Sequence, residues 1–180
     1  MLRFILKYGV IAGLVVGGLL FTFTVSLDGR MPMGAVGMAI GYASMLLALS
    51  AVFVGIKAYR DGQLGGVIRF WPAFGLGLGI SLVAGVFYVL SWEAALAVTD
   101  ADFASAWTEY TIAQKRAEGA SVAEIAKVTA EMAEFAKLYA NRGIRMLMSL
   151  TEILPVGVLV SAFSAALLRR PQFLPRRAIA

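Results

Sequence analysis

Four stretches of this chain are long and apolar enough to cross a lipid bilayer, which fixes its surroundings. A transmembrane helix needs about 20 predominantly apolar residues to span a hydrocarbon core of ~30 Å. The stretches run over about 4–27, 33–56, 70–98 and 146–168 of the 180 residues. Lys7 interrupts the first and no charge interrupts the second. Glu93 is the one charge in the third, Glu152 in the fourth. Hydrophobic residues make up 60% of the chain and charged ones 15%, against about 45–50% and about 25% in soluble domains. A soluble domain of this size leaves too many residues at its surface to hide so much apolar area, and disorder is excluded by the same composition. There is no Cys and no His. That removes thiol nucleophiles, imidazole bases, zinc fingers and disulfides, and no cofactor motif or metal cluster is expected.

The first stretch has a basic start in Arg3 and Lys7, but it is longer than a signal-peptide core, and Thr24-Val25-Ser26 is a poor cleavage site. It reads as a retained helix. Basic residues in short flanks set orientation. Arg3 and Lys7, then Lys57, Arg60 and Arg69, then Arg169, Arg170, Arg176 and Arg177 share one side if there are four spans. Both termini are therefore expected inside, in the cytoplasm. Lys57, Arg60 and Arg69 are the candidate lipid-headgroup contacts of the loop between the second and third spans. That loop lacks the GxxxxGK[ST] order of a phosphate-binding loop. Nucleic-acid binding is not expected, because the basic excess lies where topology demands it.

Residues 99–143 change character. Charges recur from Asp100 to Lys137, and Ser121 precedes Glu124 at the spacing of a capping box. Val122, Ile125, Val128, Met132, Phe135 and Tyr139 then recur at helical steps. Phe103, Trp107, Tyr110 and Ile112 suggest a helix before it, and Gly119 suits a turn between the two. The expectation is a helical hairpin on the outer side, its stripe packed against helices; a lipid surface or a partner are the alternatives.

Membrane helices associate through close approach at small residues and through polar contacts. Gly9, Gly13 and Gly17 recur every four residues in the first span, Gly37 and Gly41 in the second, Gly75 and Gly79 in the third. Gly157, Ser161 and Ala165 do so in the fourth. These faces point to a compact bundle, with a homodimer seam as the alternative.

Ionisable residues inside a bilayer are costly and need a reason. Because the third and fourth spans run oppositely, Glu93 and Glu152 fall at similar depth, roughly 7–10 Å below the outer helix ends, placed to face one another. Three readings stay open: carboxyls hydrogen-bonded within the bundle, pairing with Arg142 or Arg145, or binding of a cation or proton. Pro155 leaves the carbonyl of Thr151 without its helical donor, and a freed carbonyl beside a carboxylate is a further ligand for a cation under the third.

Several strings carry a family resemblance: Gly41-Tyr42-Ala43-Ser44-Met45, Gly55-Ile56-Lys57, Tyr59-Arg60-Asp61 and Gly65-Gly66-Val67-Ile68. Trp92-Glu93, Ala130-Glu131-Met132-Ala133-Glu134-Phe135 and Glu152-Ile153-Leu154-Pro155-Val156-Gly157 follow in order. Together they resemble a bacterial family, domain of unknown function number 4199. The resemblance implies a small inner-membrane protein without an established biochemical role, and supplies no catalytic residues. Its motif positions include Tyr59, Arg60, Asp61, Glu93, Glu152 and Pro155.

The fold expected is all-α: one membrane domain over 1–180, a four-helix bundle with an amphipathic hairpin between the third and fourth spans. The function expected is a non-enzymatic structural, accessory or partner-binding subunit, bathed in membrane lipids, as a homo-oligomer or in a larger complex. The alternatives are a small transporter or channel using Glu93 and Glu152, and a lipid-processing enzyme using those carboxylates with Arg60.

Overall fold

The computed structural model describes residues 1–175, so Arg176 and Arg177 lie outside the described residues. The described chain forms six helices: α1 (Leu2–Ser26), α2 (Gly34–Gln63), α3 (Phe70–Thr99), α4 (Phe103–Ala117), α5 (Val122–Ala140) and α6 (Arg142–Leu168). α1, α2, α3 and α6 are long and apolar enough to cross a membrane; at 1.5 Å per residue they are about 38–45 Å long. One end of the bundle carries Met1, the α2–α3 loop and the end of α6, and is called here the terminal end. The other carries the α4–α5 hairpin.

Local chemistry sets the boundaries. α1 gives way to a turn at Asp28 and Gly29, both at positive φ. Gly65 and Gly66, also at positive φ, end α2, as glycine does where a helix closes in the left-handed region. Pro72 sits in the first turn of α3, where amide hydrogens lack helical partners anyway. The hairpin begins with Asp102, which accepts from the Ser105 amide at 3.0 Å, and α5 opens with the Ser121–Glu124 capping box. Asn141 alone joins α5 to α6, and its Oδ1 accepts from the Ile144 amide. The expected helical hairpin is present. Phe135 and Tyr139 of its apolar stripe pack into an aromatic cluster, while Val122 at the far end is exposed.

Two boundaries differ from expectation. α2 continues to Gln63, so Lys57 and Arg60 lie in its last turns and not in a loop. α6 begins at Arg142, because Asn141 caps it there and no loop separates it from α5.

α3 is the centre of the bundle, packed against α1 on one side and α6 on the other. α1 and α3 run parallel and advance in step. A methyl group on Gly13 would lie 2.6 Å from Phe87, one on Gly9 2.6 Å from Val83 and one on Gly79 2.7 Å from Ile5. Gly17 meets Ser91 and Gly75 meets Met1 in the same register. The glycines thus change sides along one seam: α3 supplies them near the terminal end and α1 nearer the hairpin. α3 and α6 run antiparallel with the same stride. Gly77 faces Ser161, Gly157 faces Ser81, and Gly85 faces Ile153 and Leu150.

Gly37 and Gly41 are a correction. No other helix lies against them. A methyl on Gly37 would strike the Pro32 carbonyl of its own entering chain, and one on Gly41 would meet nothing within 4 Å. The reason is that α2 buries residues only from Met45 onward; none of 34–44 is buried.

Candidate functional site

The α3–α6 seam ends, toward the hairpin, in an ion pair. Glu93 keeps the seam's four-residue stride after Ser81 and Gly85, and its side chain is 4% exposed. Arg145 approaches it as a fork, Nε to Oε1 at 2.6 Å and Nη2 to Oε2 at 2.7 Å. Two parallel charge-assisted bonds fix both distance and plane. The third nitrogen, Nη1, donates to the Tyr139 carbonyl at 3.4 Å. Arg142 adds a looser contact, Nε to Oε2 at 3.0 Å, with a 72% exposed side chain. Of the three readings open for Glu93, the geometry is that of pairing with arginine.

Aromatic residues roof this pair. Trp92 donates its indole N–H to the Tyr139 hydroxyl at 2.8 Å. The Tyr139 ring lies 5.5 Å from the Arg145 guanidinium and 5.5 Å from Phe103, which meets Trp92 edge-on. Burial pushes the Tyr139 hydroxyl up to about 12, so it is a neutral donor and acceptor here.

Glu152 has a different partner. Tyr88 of α3 donates its hydroxyl to Oε2 at 2.8 Å. Ten residues past Arg142, Glu152 lies about 15 Å along α6, near mid-span. Glu93 and Glu152 therefore do not face one another: each is matched across the same seam at its own level, one by arginine and one by tyrosine. Tyr88 is buried, yet Glu152 is exposed, as are Thr151 and Pro155 beside it. Oε1 of Glu152 makes no hydrogen bond among the described residues.

At the terminal end Arg60 is another correction. It is not a surface contact for headgroups: its side chain is 0% exposed. Nε donates to Asp61 at 2.6 Å, Nη1 to the carbonyls of Leu168 and Phe173 at 3.3 and 3.0 Å, and Nη2 to that of Leu174 at 2.6 Å. The last carbonyls of a helix have no partners of their own, and Arg60 supplies donors to the end of α6 and the segment after it. Lys57 pairs with Asp61 at 2.5 Å and is half-buried. Arg69 is the N-cap of α3 and exposed, as are Arg169 and Arg170. Arg60 lies at the terminal end, Glu93 at the hairpin end and Glu152 between them, the separation the topology already gave Arg60 from the two glutamates.

Sequence reasoning missed Tyr88, and placed Tyr139 in the apolar stripe without its role beside the ion pair. Tyr88 lies five residues before Glu93 in an otherwise apolar helix, and that was its one local signal. Among the described residues no group of three or more acidic side chains is placed to hold a metal ion.

These features define a class: a multi-pass helical membrane protein whose central helix is joined to one neighbour by glycine steps and to another by small residues and polar rungs. Residues 7–170 match a family model described as protein of unknown function (DUF4199), and the chain belongs to that family. No curated protein matches it, and no solved structure matches it.

Proposed function

We propose that the chain is a non-enzymatic, partner-binding subunit of a bacterial inner-membrane complex, with both termini in the cytoplasm. The basic residues at the terminal end support that orientation. The occupant of its open flank is another transmembrane helix, from a second copy or from a larger complex. One observation carries this: Glu152 is an exposed residue near mid-span whose carboxyl has a single donor, on a chain whose α2 buries nothing over 34–44. A polar group left against hydrocarbon is expensive, and a neighbouring helix with a donor at that depth removes the cost. The test is purification in mild detergent followed by native mass spectrometry. A stoichiometric partner or second copy is expected in wild type and is lost in Glu152→Leu. A lone wild-type monomer overturns the proposal.

A second reading has its own support. Pro155 withholds an amide from the Thr151 carbonyl, and that carbonyl and Oε1 of Glu152 are ligands suited to a cation. In proteoliposomes this reading expects a cation or proton flux that Glu152→Gln abolishes; no wild-type flux overturns it.

A further inference from the structure

At the hairpin end a cleft of about 560 Å³ opens between the end of α3, the start of α4 and the α5–α6 junction. Glu93 and Arg145 form part of its lining, with Asp100, Asp102, Phe103 and Arg142 around them. Its charges divide sharply into spent and unspent. Arg145 gives two donors to Glu93 and the third to a carbonyl. Asp102 accepts from the Ser105 amide with one oxygen and from its hydroxyl with the other. Two groups are left. Arg142 approaches Glu93 with Nε, its side chain is 72% exposed, and its terminal nitrogens make no hydrogen bond among the described residues. Asp100, exposed at the left-handed end of α3, has no side-chain partner among the described residues.

One spare guanidinium fork and one spare carboxylate in one cleft call for a ligand that carries both an anion and an N–H-bearing cation. The cleft lies where the spans end, at the level of lipid headgroups, and Leu96, Ala97 and Ala136 give it apolar walls. We infer that it binds an ammonium–phosphate zwitterion of the phosphoethanolamine type, its phosphate on the free edge of Arg142 and its ammonium on Asp100. Guanidinium matches phosphate through two parallel bonds. A quaternary ammonium has no hydrogen to donate, and a glycerol headgroup has no cation, so the site discriminates among common lipids.

The experiment is competitive lipid retention by the full chain in nanodiscs of equal phosphatidylethanolamine, phosphatidylcholine and phosphatidylglycerol, read by native mass spectrometry. Phosphatidylethanolamine is expected to be retained preferentially. Arg142→Gln and Asp100→Asn should each weaken that preference by about tenfold or more, the scale of a charge-assisted hydrogen bond. Arg145 still holds both oxygens of Glu93 in Arg142→Gln, so unchanged thermal unfolding serves as the folding control. Soluble phosphoethanolamine is the second arm: displacement of retained lipid by it supports the headgroup, and its binding without lipid preference supports a soluble source of the same chemistry. Equal retention of the three lipids without phosphoethanolamine binding, or a preference untouched by both variants, overturns the inference. It stands on other residues than the Glu152 flank and fails or holds independently of it.

Discussion

Each end of the bundle holds an arginine, Arg60 fully buried and Arg145 half-buried, and the two are used in opposite ways. Arg145 spends its fork on a carboxylate that lies 52 residues away in sequence and on a different helix. Arg60 pairs with its immediate neighbour Asp61 and spends its other donors on backbone carbonyls more than a hundred residues distant. The first joins two helices through side chains. The second joins α2 to the end of α6 by satisfying a backbone that has run out of helical partners. A guanidinium shielded from water is tolerable in either setting because every nitrogen finds an acceptor, and no buried side-chain nitrogen or oxygen among the described residues lacks a hydrogen-bond partner.

The comparison is sharpest where it is broken. Arg60→Leu removes the donors from three carbonyls and leaves Asp61 with Lys57 alone. Expected is the largest loss, about 3–5 kcal/mol, seen as a lower unfolding temperature in detergent and faster proteolysis after Leu168. Arg60→Lys should rescue little, since an ammonium has no planar fork. Retention of wild-type stability by Arg60→Leu would show that the α6 end holds itself.

Glu93→Gln comes next, at about 3 kcal/mol, because it strands Arg145 in a partly buried position. The double change Glu93→Leu with Arg145→Leu should cost less than either single change, measured as a double-mutant cycle of unfolding free energies. An additive result would mean that the pair does not join the helices.

Third, Gly13→Ala forces a methyl against Phe87 and should cost about 1–3 kcal/mol, whereas Gly41→Ala meets empty space and should gain up to about 1 kcal/mol of helix propensity. Equal effects at the two glycines would contradict the seam.

The smallest expected effect is at the hairpin. Donors from the Ser105 hydroxyl and amide hold the Asp102 carboxyl below its ordinary value of 3.8. Its contribution to α4 is therefore complete above that value and fades as pH falls through the lower folded one. Far-ultraviolet circular dichroism of wild type and Asp102→Asn should differ at neutral pH and converge as pH falls well below the ordinary carboxyl value of 3.8.

Local physics made much of this legible. The hairpin follows from Ser121, Glu124 and Gly119, whose effects reach only a few residues along the chain. Gly9, Gly13 and Gly17 were readable as a face, yet the same stride at Gly37 and Gly41 has no helix against it, because spacing says nothing about which neighbour arrives. Arg60 looked like a membrane-flanking charge for the same reason: its acceptors lie on the far side of the sequence.

By itself, then, the sequence determined the four long apolar helices and the two amphipathic ones before the last of them, since apolar length and capping chemistry act within a single segment. Only the tertiary structure decided the register of α3 on α6. That register gives Glu93 an arginine and Glu152 a tyrosine, and the convergence of α2 on the end of α6 buries Arg60. Partners separated by fifty or a hundred residues are chosen by how whole helices pack, and no local pattern encodes that choice.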